Sequence, residues 1–111
     1  MTERELADNC IALALALGWI VSHRTSPGAG TRRSPHALRD YPGVPDLILV
    51  AGPRRAEKAP EPPQWWEIKS VGGSLSRMQI VWRDALIAAG QVWRLVRSSD
   101  YLSGRVEEWL R

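Results

Sequence analysis

The N-terminal segment 2–18 carries apolar side chains at the spacing of a helix. The positions that form this stripe are Leu6, Cys10, Leu13 and Leu17. Because they recur every three or four residues, they share one side of an α-helix. Thr2 is suited to the N-cap, acidic residues follow it in the first turn, and Gly18 is suited to end the helix. The pattern predicts an amphipathic helix with one buried face.

Four short runs rich in branched and aromatic side chains predict β-strands. They are Trp19–His23 and residues 46–50, 64–71 and 91–97. A second helix is predicted over residues 76–89, with its apolar positions along one side and Gly90 at its end. A short terminal helix is predicted over residues 103–110.

The predicted order α-β-β-β-α-β-α is typical of an α/β fold in which helices flank a small mixed sheet. Residues 22–39 contain four Arg, two His and no acid, which indicates a basic loop. Residues 53–63 are polar and rich in proline, which predicts a flexible connection without regular structure. We expect the 111 residues to form one domain, since single domains most often have about 100–150 residues.

The basic side chains are almost all arginine. The chain has 15 Lys and Arg against 12 Asp and Glu, and Lys58 and Lys69 are its only lysines. Guanidinium groups grip phosphate, so the bias favours a nucleic-acid partner, although a GC-rich genome would produce the same bias. The sequence lacks a phosphate-binding GK[ST] loop, an HExxH pair and a serine nucleophile elbow, which argues against nucleotide hydrolysis and against these protease and esterase chemistries.

Cysteine content and hydropathy bear on the cellular setting. Cys10 is the only cysteine, so the chain forms no internal disulfide and no cysteine-based zinc site. The longest apolar run, residues 11–21, is too short to span a bilayer, and the acidic residues before it are unlike a secretory leader. We expect a soluble, cytoplasmic protein without a membrane partner.

Asp46, Glu67 and Lys69 are the residues whose pattern suggests catalytic chemistry. Glu67 and Lys69 are two apart on one predicted strand, so their side chains leave the same face of the sheet. Asp46 opens a neighbouring predicted strand. If these strands pair, two carboxylates meet at one sheet edge, where Mg²⁺ or Mn²⁺ would relieve their repulsion. Such an ion can activate water and stabilise a phosphate, and Lys69 can orient that water.

The same three residues have a structural interpretation. An aspartate after Gly-Val-Pro often begins a strand, and a Glu–Lys pair is often solvated and contributes little. Their apolar neighbours favour the metal site, because charged groups within such strands are costly unless they are paired or metal-bound.

Several longer motifs resemble the VRR-NUC family of the PD-(D/E)XK nuclease superfamily, which has the restriction-endonuclease-like fold. They are GVPDLILV at residues 43–50, WWEIKS at 65–70 and GGSLSRMQIVWRDALIAAGQVWRLVR at 72–97. Residues 2–26 are similar to the first helix and strand of small phage and prophage members. The resemblance implies a metal-dependent DNA endonuclease that selects branched substrates such as junctions and flaps, in a bacterial or phage-infected cell.

The resemblance also implies roles for individual residues. Asp46, Glu67 and the backbone carbonyl of Ile68 would be metal ligands, and Lys69 would be the catalytic lysine. The family places a further acidic residue of the first helix near the metal. We favour Glu3, which continues the apolar stripe, over the alternative Glu5. Either carboxylate could instead serve only to stabilise the first turn of the helix.

Gln79 matches a family glutamine near the catalytic site, but it also completes a capping box with Ser76, and both roles can coexist. Contacts with nucleic acid are expected from His23, Arg24, Arg32, Arg33, Ser74 and Ser76. For His23 and the arginines, a structural histidine and a solvated loop are the alternatives.

Cleavage of two strands requires two sites, and a chain this small offers limited surface for a branched substrate. A homodimer is therefore expected. A catalytically silent DNA-binding module and a nuclease directed at RNA are the alternative functions.

Overall fold

A computed structural model of the chain describes residues 1–24 and 42–111. Five helices and four strands lie within these residues. In chain order they are α1 (Glu3–Ala16), β1 (Trp19–His23), β2 (Leu47–Ala51), α2 (Pro53–Lys58), β3 (Gln64–Ile68), α3 (Arg77–Ala88), β4 (Val92–Val96), α4 (Ser98–Leu102) and α5 (Arg105–Leu110). The predicted strands are all present, and α1 and α3 begin after the predicted caps Thr2 and Ser76.

The four strands form one mixed sheet in the order β1-β2-β3-β4. The β1–β2 and β2–β3 pairs are antiparallel, and the β3–β4 pair is parallel. Leu47 lies opposite Trp66, so the beginning of β2 is beside the end of β3. The prediction of an α/β fold with a mixed sheet flanked by helices is therefore confirmed.

The core lies between one face of the sheet and helices α1, α4 and α5. Its buried side chains are Leu6, Ala7, Cys10, Ala14, Trp19, Leu47, Leu49, Trp66, Ile68, Val96, Val106 and Leu110. Trp19 Nε1 donates to the carbonyl oxygen of Leu110 at 2.9 Å. The ring of Trp66 packs edge-on against Trp109 with centroids 5.8 Å apart. These contacts bind the first strand and the last helix into the same core.

The opposite face of the sheet is only partly covered. Helix α3 packs beside β4, where the Arg83 guanidinium lies 6.0 Å from the centre of the Trp93 ring. Leu86 is the only buried residue of α3, so fewer positions of its predicted apolar side are buried than expected. Ile20 and Val50 are paired across β1 and β2 on this face, with 57% and 43% of their surface exposed.

The prediction that residues 53–63 lack regular structure is wrong, because this segment contains α2. Gly52 precedes the helix in an extended conformation, and Pro53 occupies its first turn, where the missing N–H is not needed. The Arg55 side chain holds α2 in place by donating to the Leu17 carbonyl and to Glu61, both at 2.9 Å.

The C-terminal part of the chain also differs from prediction. One short helix was expected, but α4 precedes α5, so the predicted order α-β-β-β-α-β-α lacks both α2 and α4. The turn into α4 forms because the Asp100 carboxylate accepts the backbone N–H of Arg97 at 2.9 Å. The strand expected to reach residue 71 ends at Ile68, before the Gly72 turn.

No helix in the described parts of the chain is both long enough and apolar enough to cross a membrane. Arg32 and Arg33, with most of the predicted basic loop, lie outside the described residues.

Candidate active site

Asp46 and Glu67 meet at one end of the two central strands. Asp46 directly precedes β2, and Glu67 is the penultimate residue of β3, so antiparallel pairing brings them together. The backbone N–H of Ile68 donates to Asp46 Oδ2 at 2.8 Å, which fixes the aspartate against the end of β3. Glu67 is 3% exposed, and its Oε1 atom has no hydrogen-bond partner among the described residues. A buried carboxylate oxygen is thus left available next to a second carboxylate.

Burial is the main cause of a large change in the acidity of Glu67. It raises the pKa of this carboxyl to about 9, with a hydrogen bond to Asp46 and the Asp46 charge acting in the same direction. The Lys69 charge lowers the pKa of Glu67, and the Glu3 charge raises it. Without a cation, Glu67 therefore keeps its proton at neutral pH and donates it to Asp46 in a hydrogen bond. A divalent cation at this point would take the place of the shared proton.

A cavity of about 490 Å³ opens beside the carboxylate pair. Its walls are formed by Glu3, Arg4, Ala7, Asp8, His23, Arg24, Asp46 and Ile68. The backbone N–H of Arg24 donates to the Asp46 carbonyl at 2.8 Å, which continues the β1–β2 pairing to the cavity. The structure thus brings five residues of the predicted site to one cavity: Glu3, His23, Arg24, Asp46 and Ile68.

Glu3 and Glu5 occupy different environments. Glu5 forms a capping box with Thr2, in which the Thr2 N–H donates to Glu5 Oε1 and the Glu5 N–H donates to Thr2 Oγ1, both at 3.1 Å. The Thr2 backbone hydrogen bond lowers the pKa of Glu5. Glu3 instead lines the cavity. The Thr-x-x-Glu pattern at residues 2–5 was a sequence signal that assigns Glu5 to the cap.

Arg4 and Asp8 also line this cavity and were not among the predicted site residues. Arg4 and Asp8 are four residues apart, so they lie on the same side of α1, next to the side that carries Glu3 and Ala7. Their presence makes the cavity wall mixed in charge.

Arg97 holds the turn that follows the Glu67-Ile68-Lys69 stretch. Its Nη1 donates to the Ser70 carbonyl at 2.6 Å and its Nη2 to the Gly73 carbonyl at 2.7 Å. A Cβ on Gly73 would lie 3.5 Å from Lys69 Cδ and 3.2 Å from Ser70 Oγ, so the turn packs closely against the lysine. Sequence reasoning missed Arg97, because nothing local distinguishes an arginine at a strand end that grips a distant turn.

Arg97→Lys is expected to loosen this turn without unfolding the protein. A single ammonium group cannot span both carbonyls in the way that the guanidinium fork does. We expect amide hydrogen exchange in residues 69–74 to accelerate about tenfold, the effect of losing about 1.4 kcal/mol of local stability. Exchange in α1 should not change, and Arg105→Lys is the matched control. Equal exchange in residues 69–74 of Arg97→Lys and wild type would contradict the clamp.

Gln79 and Ser76 cap α3. The Ser76 N–H donates to Gln79 Oε1 at 2.7 Å, and the Gln79 N–H donates to Ser76 Oγ at 3.2 Å. The side-chain oxygen of Gln79 is therefore engaged in the capping box, and its catalytic role stays a prediction. Ser74 is exposed in the turn before this cap.

Asp46 and Glu67 offer oxygen donors of the kind that bind Mg²⁺ or Mn²⁺. No group of three or more His, Cys, Asp or Glu side chains that could hold a metal occurs within residues 1–24 and 42–111. Mg²⁺ does not need such a group, since it is commonly held by one or two carboxylates with water and substrate phosphate completing its shell. The unpartnered Glu67 oxygen beside Asp46 provides such a pair.

Without metal, the stability of the protein is expected to fall as the pH rises. The folded state keeps the Glu67 proton to about pH 9, whereas the unfolded chain loses it near the ordinary pKa of 4.5. Between these values the folded state binds more protons, so the free energy of unfolding decreases with pH. We expect Glu67 to lower the free energy of unfolding by about 2–3 kcal/mol between about pH 6 and about pH 8.

Urea unfolding in EDTA measures this change. Glu67→Gln is the matched control, because the amide does not titrate and its pH slope should be flatter than that of wild type. If both proteins lose the same stability over this pH range, Glu67 does not hold a proton in the folded state.

Comparisons of the chain with protein-family models, with curated proteins and with solved structures find no match. The function is therefore inferred from the residues and geometry of the site.

Proposed function

We propose that the chain is a metal-dependent endonuclease that hydrolyses phosphodiester bonds in DNA. We further propose that it has the restriction-endonuclease-like fold of the VRR-NUC nucleases. The observation that carries the proposal is the pairing of Asp46 with the buried Glu67 at the end of the central strands, with Lys69 two residues beyond Glu67. Two ionised carboxylates this close are costly unless a proton or a cation is shared between them, and a divalent cation bound by both would account for the arrangement.

Asp46, Glu67 and the Ile68 carbonyl would hold Mg²⁺ or Mn²⁺. The ion would lower the pKa of a water and offset negative charge on the phosphate. The Ile68 N–H keeps the Asp46 carboxylate directed at the end of β3. The Lys69 ammonium, whose charge already acts on Glu67, would orient the attacking water and balance charge developing on the phosphate.

The cavity beside the carboxylates is suited to a phosphate group. His23 and Arg24 lie on its wall, at the end of β1, and Arg4 lines it from α1. Contacts of this kind position the backbone of DNA and set the salt dependence of binding without reading sequence. Arg32 and Arg33 would extend the same role, although they fall outside the described residues.

Branched DNA and a homodimer belong to the same proposal. Two active sites are needed to cut two strands symmetrically, and a second copy would supply the second site. The exposed Ile20–Val50 pair on the outer face of β1 and β2 supports an apolar contact between copies. Gel filtration with light scattering, with and without junction DNA, tests this point. A monomer in both measurements would remove the dimer.

Cleavage assays test the nuclease. Labelled linear, single-stranded and four-way DNA are incubated with the protein in Mg²⁺, Mn²⁺ or EDTA, with RNA of the same sequence in parallel. We expect DNA to be cut only when a metal is present. Binding without cutting in every condition would favour the silent DNA-binding module, and cutting of RNA alone would favour the RNA-directed nuclease.

A further inference from the structure

A second cavity lies at the opposite end of the sheet from Asp46 and Glu67. It measures about 600 Å³ and is formed by the last turn of α1, by α2 and by the C-terminal residue Arg111. It is located where β1 begins and β2 ends, whereas the candidate active site is located where β1 ends and β2 begins. The length of the sheet therefore separates the two cavities.

The second cavity carries an excess of positive charge. The charge of Arg55 is balanced by Glu61 at 2.9 Å, and that of Arg111 by Glu107 at 2.8 Å. The Arg54 and Lys58 side chains, which also line the cavity, make no ion pair or hydrogen bond with any residue that the structure describes. Because they are four residues apart on α2, they lie on the same side of the helix. Two positive charges that no described residue pairs with thus face one opening.

Arg55 holds the walls of this cavity in place. Its guanidinium donates to the Leu17 carbonyl at 2.9 Å and to a main-chain oxygen of Arg111 at 3.1 Å, and it lies 4.6 Å from the centre of the Trp19 ring. These contacts fix α2 against the end of α1. Arg54 and Lys58 are consequently presented by a helix that is anchored to the core.

We propose that Arg54 and Lys58 bind the phosphate backbone of the same DNA molecule that occupies the candidate active site. The inference rests on the proposed nuclease function. Glu3 lines the first cavity and Leu17 the second, and both belong to the segment of α1 and its C-cap. At a helical rise of about 1.5 Å per residue they are about 21 Å apart, which corresponds to about six base pairs of DNA.

The part of α1 that leads from one cavity to the other is uncharged. Residues 9–18 of the chain, which lead along α1 from one cavity to the other, include no charged side chain. The acidic residues of α1, Glu3, Glu5 and Asp8, therefore all lie near the first cavity, and Glu61 at the second cavity is paired with Arg55. Contact with the DNA phosphate backbone about six base pairs from the cleavage site would hold the duplex at two points. The duplex would then lie along α1.

Another explanation of Arg54 and Lys58 is purely structural. Positive charges near the C-terminal end of α1 interact favourably with the helix dipole. That role would affect folding stability and would leave DNA affinity unchanged, so the two explanations differ in a measurable way.

The two lysines of the chain allow a test on the unmodified protein. Lys69 reports on the candidate active site and Lys58 on the second cavity, and there is no other lysine. The protein is treated with an amine-acetylating reagent, with and without a 20-base-pair duplex, and acetylation of each lysine is measured by mass spectrometry. Ca²⁺ replaces Mg²⁺, because it takes the same oxygen ligands in a looser geometry.

DNA at ten times its dissociation constant should slow acetylation of both lysines about tenfold, because about one protein molecule in eleven stays free. Protection of Lys69 alone would overturn the inference and leave the nuclease standing. Protection of Lys58 alone would support the second cavity and count against the active site. Protection of neither lysine would overturn both.

A double variant, Arg54→Gln with Lys58→Gln, provides a second measurement. Loss of two phosphate contacts should weaken duplex binding about ten- to hundredfold near 0.1 M salt and reduce the slope of log affinity against log salt by about 1.8. The charge-matched control, Arg83→Gln with Arg105→Gln, changes two cations outside both cavities. The inference is overturned if the control loses as much affinity, or if the double variant loses thermal stability but no affinity.

Discussion

Replacing Asp46 with asparagine is expected to lower the rate of DNA cleavage by about a thousandfold or more, equivalent to about 4 kcal/mol of activation free energy. Asparagine keeps an oxygen that can accept the Ile68 N–H, so the local structure should persist. It removes one of the two charges that would hold the cation. The loss should therefore appear in the cleavage step and in Mn²⁺ affinity, with little change in folding.

Single-turnover cleavage, calorimetric titration with Mn²⁺ and thermal melting separate these effects. Asp84→Asn is the matched control, because Asp84 is an exposed aspartate that pairs with its neighbour Arg83. That variant should cut DNA at the wild-type rate. If Asp46→Asn retains wild-type cleavage in the same metal, the carboxylate pair is not the catalytic centre.

Gly43→Ala is expected to destabilise the fold by about 3 kcal/mol or more, from steric overlap and backbone strain together. Gly43 has a φ of +90°, in the region that residues with a Cβ rarely adopt. A Cβ at this position would lie 2.5 Å from the Met78 carbonyl oxygen and 2.7 Å from the Gln79 nitrogen. Both neighbours are backbone atoms of the first turn of α3, so neither can move aside as a flexible side chain would.

Gly90→Ala separates these two causes. Gly90 has a similar φ of +79°, but a Cβ there would meet no atom within 4 Å. The Gly90→Ala substitution should therefore lower the free energy of unfolding only by the backbone strain, about 1–2 kcal/mol. Urea unfolding of both variants measures the difference. Equal losses of stability would show that close packing of α3 against the Gly43 turn is unimportant.

The elements that could be predicted are those whose signals are local in sequence. The stripe beginning at Leu6 and the cap at Thr2 define α1, and alternation with branched side chains defines Trp19–His23. The meeting of Asp46 with Glu67 required one additional assumption, that their strands pair, and the register of β2 with β3 satisfies it.

The features that could not be predicted depend on contacts between distant residues. Helix α2 has six residues, too few to be stable alone, and it is held by Arg55 reaching the Leu17 carbonyl across 38 positions of sequence. The proton on Glu67 follows from burial that only the assembled sheet provides. The close approach of Gly43 to Met78 likewise joins two segments with no local signal for contact.

The hydrogen bond from Trp19 to the Leu110 carbonyl has a consequence for biosynthesis. The indole is located on the first strand and its acceptor on the last helix, 91 residues later, so their contact closes a loop that contains most of the chain. Such closure carries a large entropic cost and slows folding. A nascent chain emerging from the ribosome would expose the Trp19 and Trp66 rings until α5 is released. Chaperones would have their main access to the domain during this interval.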